Sequence, residues 1–143
     1  MRTFAAPDYL SLQFRSDLNF LVTRWLRPVS DAETRAGYRL ILAAARECNC
    51  PFWLLDVRRR PPAEPATTRW GLQEFFPQLG AALGQTVYMS QLLSPTYQAQ
   101  TDNELAFQQA EQQGPAQGYH MRRFNDETKA VNWLRQQQGP AAG

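Results

Sequence analysis

Pro51-Phe52-Trp53-Leu54-Leu55-Asp56-Val57 is the stretch on which the reading of this chain turns. It is apolar almost throughout, has the length of a strand, and runs straight into Arg58-Arg59-Arg60. An unbroken apolar run of that length reads as a central strand covered on both faces, the usual condition of a parallel sheet. Parallel neighbours need long crossovers, normally helical, so the flanking sequence should supply helices.

Upstream it does. Ser30 followed by Glu33 is a capping box, and the helix it opens places Ala36, Leu40, Ile41, Ala44 and Cys48 on one stripe. That helix ends near Asn49, since Pro51 forbids continuation. Before it, Leu10, Leu12 and Phe14 alternate with Ser11, Gln13 and Arg15, the period of a half-buried strand. After a polar break at Arg15-Ser16-Asp17, Leu18 to Leu26 forms a second strand and closes a hairpin. Bulk on both of its faces places that strand inside the sheet.

Downstream lies a proline-rich loop, RRRPPAEPATT at 58–68. Thr67 or Thr68 then caps a helix bearing Leu72, Phe75, Phe76, Leu79 and Leu83 on one face, with Pro77 kinking or splitting it and Gly84 ending it. Thr86 to Met89 is a fourth strand and Tyr119 to Phe124 a fifth. Between them the chain is rich in glutamine, seven from Gln98 to Gln117, with a short helix expected at 103–112. Asn125-Asp126 caps a last helix whose inner face is Ala130, Val131 and Leu134, flanked by Trp133, and residues 138–143 read as a frayed tail. The sum is one α/β domain over residues 1–137, a mixed five-stranded sheet opened by a β-hairpin with about four helices packed on it.

Composition agrees with a folded domain. The chain has 143 residues, of which 43% are hydrophobic, 20% charged and 12% aromatic, outside the disordered class. The net charge of +2 is too small to point to nucleic acid. No apolar run is long enough to span a membrane, and the start, MRTFAAPDYL, has no secretory h-region. Cys48 and Cys50 stand alone with a single histidine, so no zinc set or ordinary disulfide is expected, and a reduced cytoplasmic setting is. No cofactor is expected, since the eight glycines are scattered and form no phosphate loop.

The order of elements resembles the STAS-type domains, and within them the SpoIIAA-like branch, similar in fold to lipid-binding CRAL-TRIO domains. The residues carrying the resemblance are FWLLDV at 52–57, the helix with Trp70 and Phe75-Phe76, and the ending FNDETKAVNWL at 124–134. The resemblance implies a bacterial signalling module without enzymatic activity. The Ser-Gly turn of the phosphorylated antagonists is missing. Thr67 and Thr68 supply hydroxyls in the corresponding region, but without that motif a kinase-switched antagonist is not expected.

Candidate functional residues gather at the end of the apolar strand. Arg58, Arg59 and Arg60 precede a helix start bearing Thr67, Thr68, Arg69 and Trp70, a place where open α/β sheets hold ligands. The leading expectation is that this set recognises a protein partner or a second copy of the chain. The alternative is a carrier or sensor holding an anionic or lipid-like molecule between the sheet and the kinked helix, with Tyr88 and Tyr97 lining the pocket. Ser90 or Ser94 with His120 would supply the residue types of a weak hydrolase, without a nucleophile elbow. Asp56 within the buried strand needs a partner, and Arg58 or a capping amide would serve.

Overall fold

Alternation, capping and turn chemistry place the elements in a computed structural model of the chain, in which residues 1–102 and 104–139 are described. Strands β2 (Leu10–Arg15) and β3 (Phe20–Trp25) form the expected hairpin, paired antiparallel from Leu10↔Trp25 to Arg15↔Phe20. Helix α1 (Asp31–Cys48) begins at the capping box, where Ser30 Oγ accepts from the Glu33 amide at 3.1 Å and the Glu33 carboxylate accepts from the Ser30 amide at 3.0 Å. It ends on Asn49 in the left-handed conformation, φ 50°, which a short polar side chain tolerates.

Strand β4 (Phe52–Asp56) is the apolar run, parallel to β3 on one side and to β5 (Val87–Leu92) on the other. Strand β6 (Tyr119–Phe124) pairs parallel with β5. The sheet has six strands rather than five, because Arg2–Phe4 adds β1 antiparallel to β2 at the edge. Three residues are too few to display alternation, and only Phe4 is even partly buried. Spatial order follows chain order, β1-β2-β3-β4-β5-β6.

Among the described residues five helical bodies, besides a 3-10 turn at Gly114–Gln117, cover the sheet where about four were expected. The second runs unbroken from α2 (Pro65–Arg69) through a π turn (Trp70–Phe75) and a 3-10 turn (Phe76–Gln78) into α3 (Leu79–Leu83). Pro77 therefore neither splits nor ends it. Its missing amide and the crowding of its ring are absorbed by widening the preceding turn, in which the Phe76 amide donates to Gly71 O. The helix starts at Pro65, ahead of Thr67 and Thr68, since proline suits the first helical position.

The glutamine-rich stretch holds two helices, α4 (Pro95–Thr101), capped by Ser94, and α5 (Leu105–Gln113). The expected start at Asn103 lies outside the described residues. These helices bury only Tyr97, Thr101, Phe107 and Ala110, which is why the segment looked apolar-poor. Helix α6 (Glu127–Gln138) is capped by Asp126 as expected and reaches into the segment read as tail, of which residues 140–143 lie outside the described residues.

The helical connections between β3 and β6 all pack on one face of the sheet. Their core includes Leu21, Trp25, Trp53, Leu55, Met89 and Met121, joined by Tyr38, Ile41, Phe75, Phe76, Leu79 and Phe107 from the helices. Only α6 covers the other face, where Ala130, Trp133 and Leu134 meet Phe20, Val22, Leu54 and Leu92. The inner stripe of α1 is Thr34, Gly37, Tyr38, Ile41, Ala44 and Ala45, while Ala36 and Leu40 are exposed. The rotation is driven by Gly37, which lets the edge of the Trp25 indole approach the helix closely; a Cβ there would meet it at 2.5 Å. Among the described residues no helix is long and apolar enough to cross a membrane.

Candidate functional site

The turn after β4 sends its three arginines to three places. The Val57 amide still pairs with Leu92 O, so the β4–β5 ladder runs one residue beyond the strand before the chain turns, with the Arg60 amide donating to Val57 O. Asp56 Oδ1 accepts from the Arg58 amide at 3.1 Å, and the Arg58 side chain folds back on the same carboxylate at 3.0 and 2.9 Å. Arg59 stays exposed. Arg60 alone turns inward beneath α1 and keeps 6% of its surface.

Arg60 sits over the ring of Trp25, 4.7 Å from its centroid, and donates from Nη2 to Thr34 Oγ1 at 3.2 Å. Its Nε is sealed from solvent with no acceptor, and it forms no ion pair with a carboxylate among the described residues. Beside it lies a cavity of ≈ 40 Å³ at the carboxyl ends of β4 and β5. The walls come from every layer around it. Thr34 and Tyr38 are on α1, Thr67 on α2, Gly71 and Leu72 on the widened turn, Phe76 at the start of the 3-10 turn, Gln91 on β5, Tyr97 on α4, and Phe107 on α5. Buried polar groups are normally satisfied, so a guanidinium left short of acceptors against a cavity marks a place where something is missing.

The neighbouring polar groups are arranged as donors. Burial pushes the Tyr38 hydroxyl up to about 12, although Arg60 pulls the other way. Burial raises Tyr97 as well, against the pull of Arg60 and Arg123. Both phenols thus keep their protons at neutral pH, and neither donates to a protein group among the described residues. Thr67 differs, because its hydroxyl donates to Asp31 Oδ1. Gln91, which also lines the cavity, accepts with its side-chain oxygen from Arg123 Nε at 3.3 Å. Arg123 is itself engaged, lying over Phe107 and bonded to Thr101 and Asp102.

Of the expected site residues, Arg60, Thr67, Thr68 and Tyr97 come together here. Arg58 and Arg59 line a separate cleft on the α6 side with Arg24, Asp56 and Glu127. Arg69 is exposed on α2. Trp70 is occupied within the fold: it stacks on Phe75 at 5.1 Å, with Arg35 and Arg39 over its ring at 5.1 and 5.9 Å. Tyr88 points to the other face, between Phe52 and His120, so it does not line the pocket with Tyr97. Ser90 donates to Ala130 O beneath α6, Ser94 caps α4, and His120 stacks on Tyr88. No hydrogen bond joins either serine to His120 among the described residues.

The expected partners of Asp56 are in place. Arg58 holds it from its own turn, and Arg24 Nη1 on β3 reaches it at 2.8 Å while also binding Glu127 of α6. Burial alone would push the Asp56 carboxyl up, but hydrogen bonds from Arg58 and Arg24 outweigh it and hold it below the usual aspartate range. A carboxyl lowered by folding adds stability above its unfolded value and loses it as pH falls through the folded one. Asp56→Asn is therefore expected to destabilise the protein at pH 7, with the gap narrowing as pH falls below the aspartate range. Urea midpoints measured for both proteins from pH 7 to pH 3 check this; a gap independent of pH refutes it.

Fold and site together define an α/β sheet domain with a small, largely apolar cavity holding one buried guanidinium at the carboxyl ends of its parallel strands, the position where such sheets bind ligands. No protein family, characterised protein or solved structure matches the chain.

Proposed function

We propose that this chain is a binding module that takes up a small anionic ligand in the cavity at Arg60. The carrying observation is a deeply buried guanidinium with an unsatisfied Nε, beside a cavity and without a carboxylate partner. A buried cation costs several kcal/mol on the order of the desolvation penalty unless it is compensated. An anion would compensate it. This reading takes the ligand alternative over the protein-partner one, because Trp70 is packed and the three arginines diverge.

A STAS-like architecture is supported by the order of the elements, an antiparallel opening followed by parallel crossover units. A long-chain lipid suits the site poorly, since a cavity of ≈ 40 Å³ does not enclose it. The work of the protein would be to report or carry the ligand, with α2, α4 and α5 reading whether the cavity is filled.

The test compares wild type with Arg60→Met and the exposed control Arg59→Met in thermal melts. Acetate, benzoate, phosphate and sulfate are titrated at constant ionic strength. Wild type and Arg59→Met should gain several degrees with at least one anion, and Arg60→Met should gain none. An equal response in all three proteins, or none in wild type, sinks the proposal.

A further inference from the structure

We infer that the group bound at Arg60 is a monocarboxylate bearing a short apolar or aromatic body. This rests on the anion reading above and specifies its chemistry. Three observations carry it: a single guanidinium at the cavity without a carboxylate partner among the described residues, the supply of donors, and the lining of the space.

Charge comes first. Arg60 is the one guanidinium lining the cavity, and Arg123 behind Gln91 is taken up by Asp102, Thr101 and Gln91 itself. One negative charge balances Arg60. A second, as on a phosphate dianion, would be desolvated without a counter-charge.

Donors come next. An ionised carboxylate only accepts hydrogen bonds, and it needs donors on both oxygens. The Arg60 guanidinium and the Tyr38 and Tyr97 hydroxyls, neither phenol bonded to a protein group among the described residues, line the same space and can supply them.

Size and lining complete the case. The cavity is small, ≈ 40 Å³, and open on one side, so a head group seated at Arg60 leaves the rest of the ligand along its walls. Around the polar end lie Val57, Leu72, Phe76 and Phe107, and Ala63 stands half-buried on the loop side. A body that follows the head group therefore lies against apolar walls. Each methylene it buries tightens binding by about fourfold.

Isothermal titration of the wild-type protein with acetate, butyrate, benzoate, phosphate and sulfate, with Tyr97→Phe as a second protein, tests this. Butyrate and benzoate should bind at least about tenfold tighter than acetate, as two or more buried carbons require. Phosphate and sulfate should show no saturable heat. In Tyr97→Phe the carboxylates should weaken by at least about tenfold, the loss of one donor to a charged acceptor. Saturable phosphate or sulfate binding with no preference for carboxylates would overturn the head-group assignment and leave the anion site standing. Equal affinity for acetate and butyrate would overturn the apolar body. No binding of any probe would overturn both this inference and the reading on which it rests.

Discussion

Arg60→Met is expected to melt above the wild-type protein in the absence of ligand. Methionine has a similar length and no charge, so it can follow the path of the arginine across the Trp25 ring without a desolvated cation. Replacing a poorly compensated buried charge with an apolar side chain commonly stabilises a domain by about 1–3 kcal/mol. For a chain of this size that corresponds to a rise of roughly 3–9 °C. The contribution forgone is one hydrogen bond to Thr34 and the contact of the cation with the indole, together smaller than the penalty removed. Differential scanning calorimetry at low ionic strength decides the matter. A variant that melts several degrees lower would mean that the guanidinium is satisfied in the apo protein, and the case for a missing anion would go with it.

The second large effect belongs to Trp25. It is fully buried between Tyr9 and Tyr38, with ring centroids at 6.0 and 5.3 Å, and supports both Gly37 and Arg60. Trp25→Ala is expected to cost about 3–5 kcal/mol, measured by urea unfolding, and to loosen Arg60 enough to weaken anion binding. Trp25→Phe should cost far less than Trp53→Phe. Trp25 Nε1 has no hydrogen-bond partner among the described residues, so removing it discards an unsatisfied donor. Trp53 Nε1 donates to Cys50 O at 2.8 Å, and its loss strands a buried carbonyl. Equal costs for the two phenylalanine variants would show that ring volume alone governs both sites.

Much of the architecture was legible because its signals are local. The capping box at Ser30 and Glu33, the apolar run at Phe52–Asp56, the terminator Gly84 and the cap at Asp126 each act within a few residues of themselves. What escaped depends on distant neighbours. Strand β1 exists only because β2 offers it an edge. The stripe of α1 is rotated away from Ala36 and Leu40 by an indole on another strand. Helices α4 and α5 bury so few side chains that their glutamines hide the period.

The site follows the same rule. A cluster of arginines beyond a buried strand was visible, and Thr67, Thr68 and Tyr97 were found with it. Which arginine turns inward is set by the extra Val57–Leu92 rung and by the grip of Asp56 on Arg58, and neither can be read from three adjacent identical residues. Tyr38 and Gln91 went unmarked because the face of α1 and the length of β5 were misjudged. The missed signal for Tyr38 was its spacing from Thr34 and Ile41, four and three residues, which puts all three on one side of the helix.

Because spatial order follows chain order, every strand pairs with the one preceding it in the chain. A growing polypeptide can therefore add each rung to a template already present, and no strand must wait for a later one to be inserted beside it. The exception is α6, which crosses back over β3 to β5 and whose Gln138 Nε2 donates to Leu18 O, 120 positions earlier. Until that helix docks, one side of the sheet displays Phe20, Val22, Leu54 and Leu92 to water. A nascent chain stalled just before Asp126 would thus be a sticky half-product with its cavity side already assembled, and it is there that a chaperone would have most to cover.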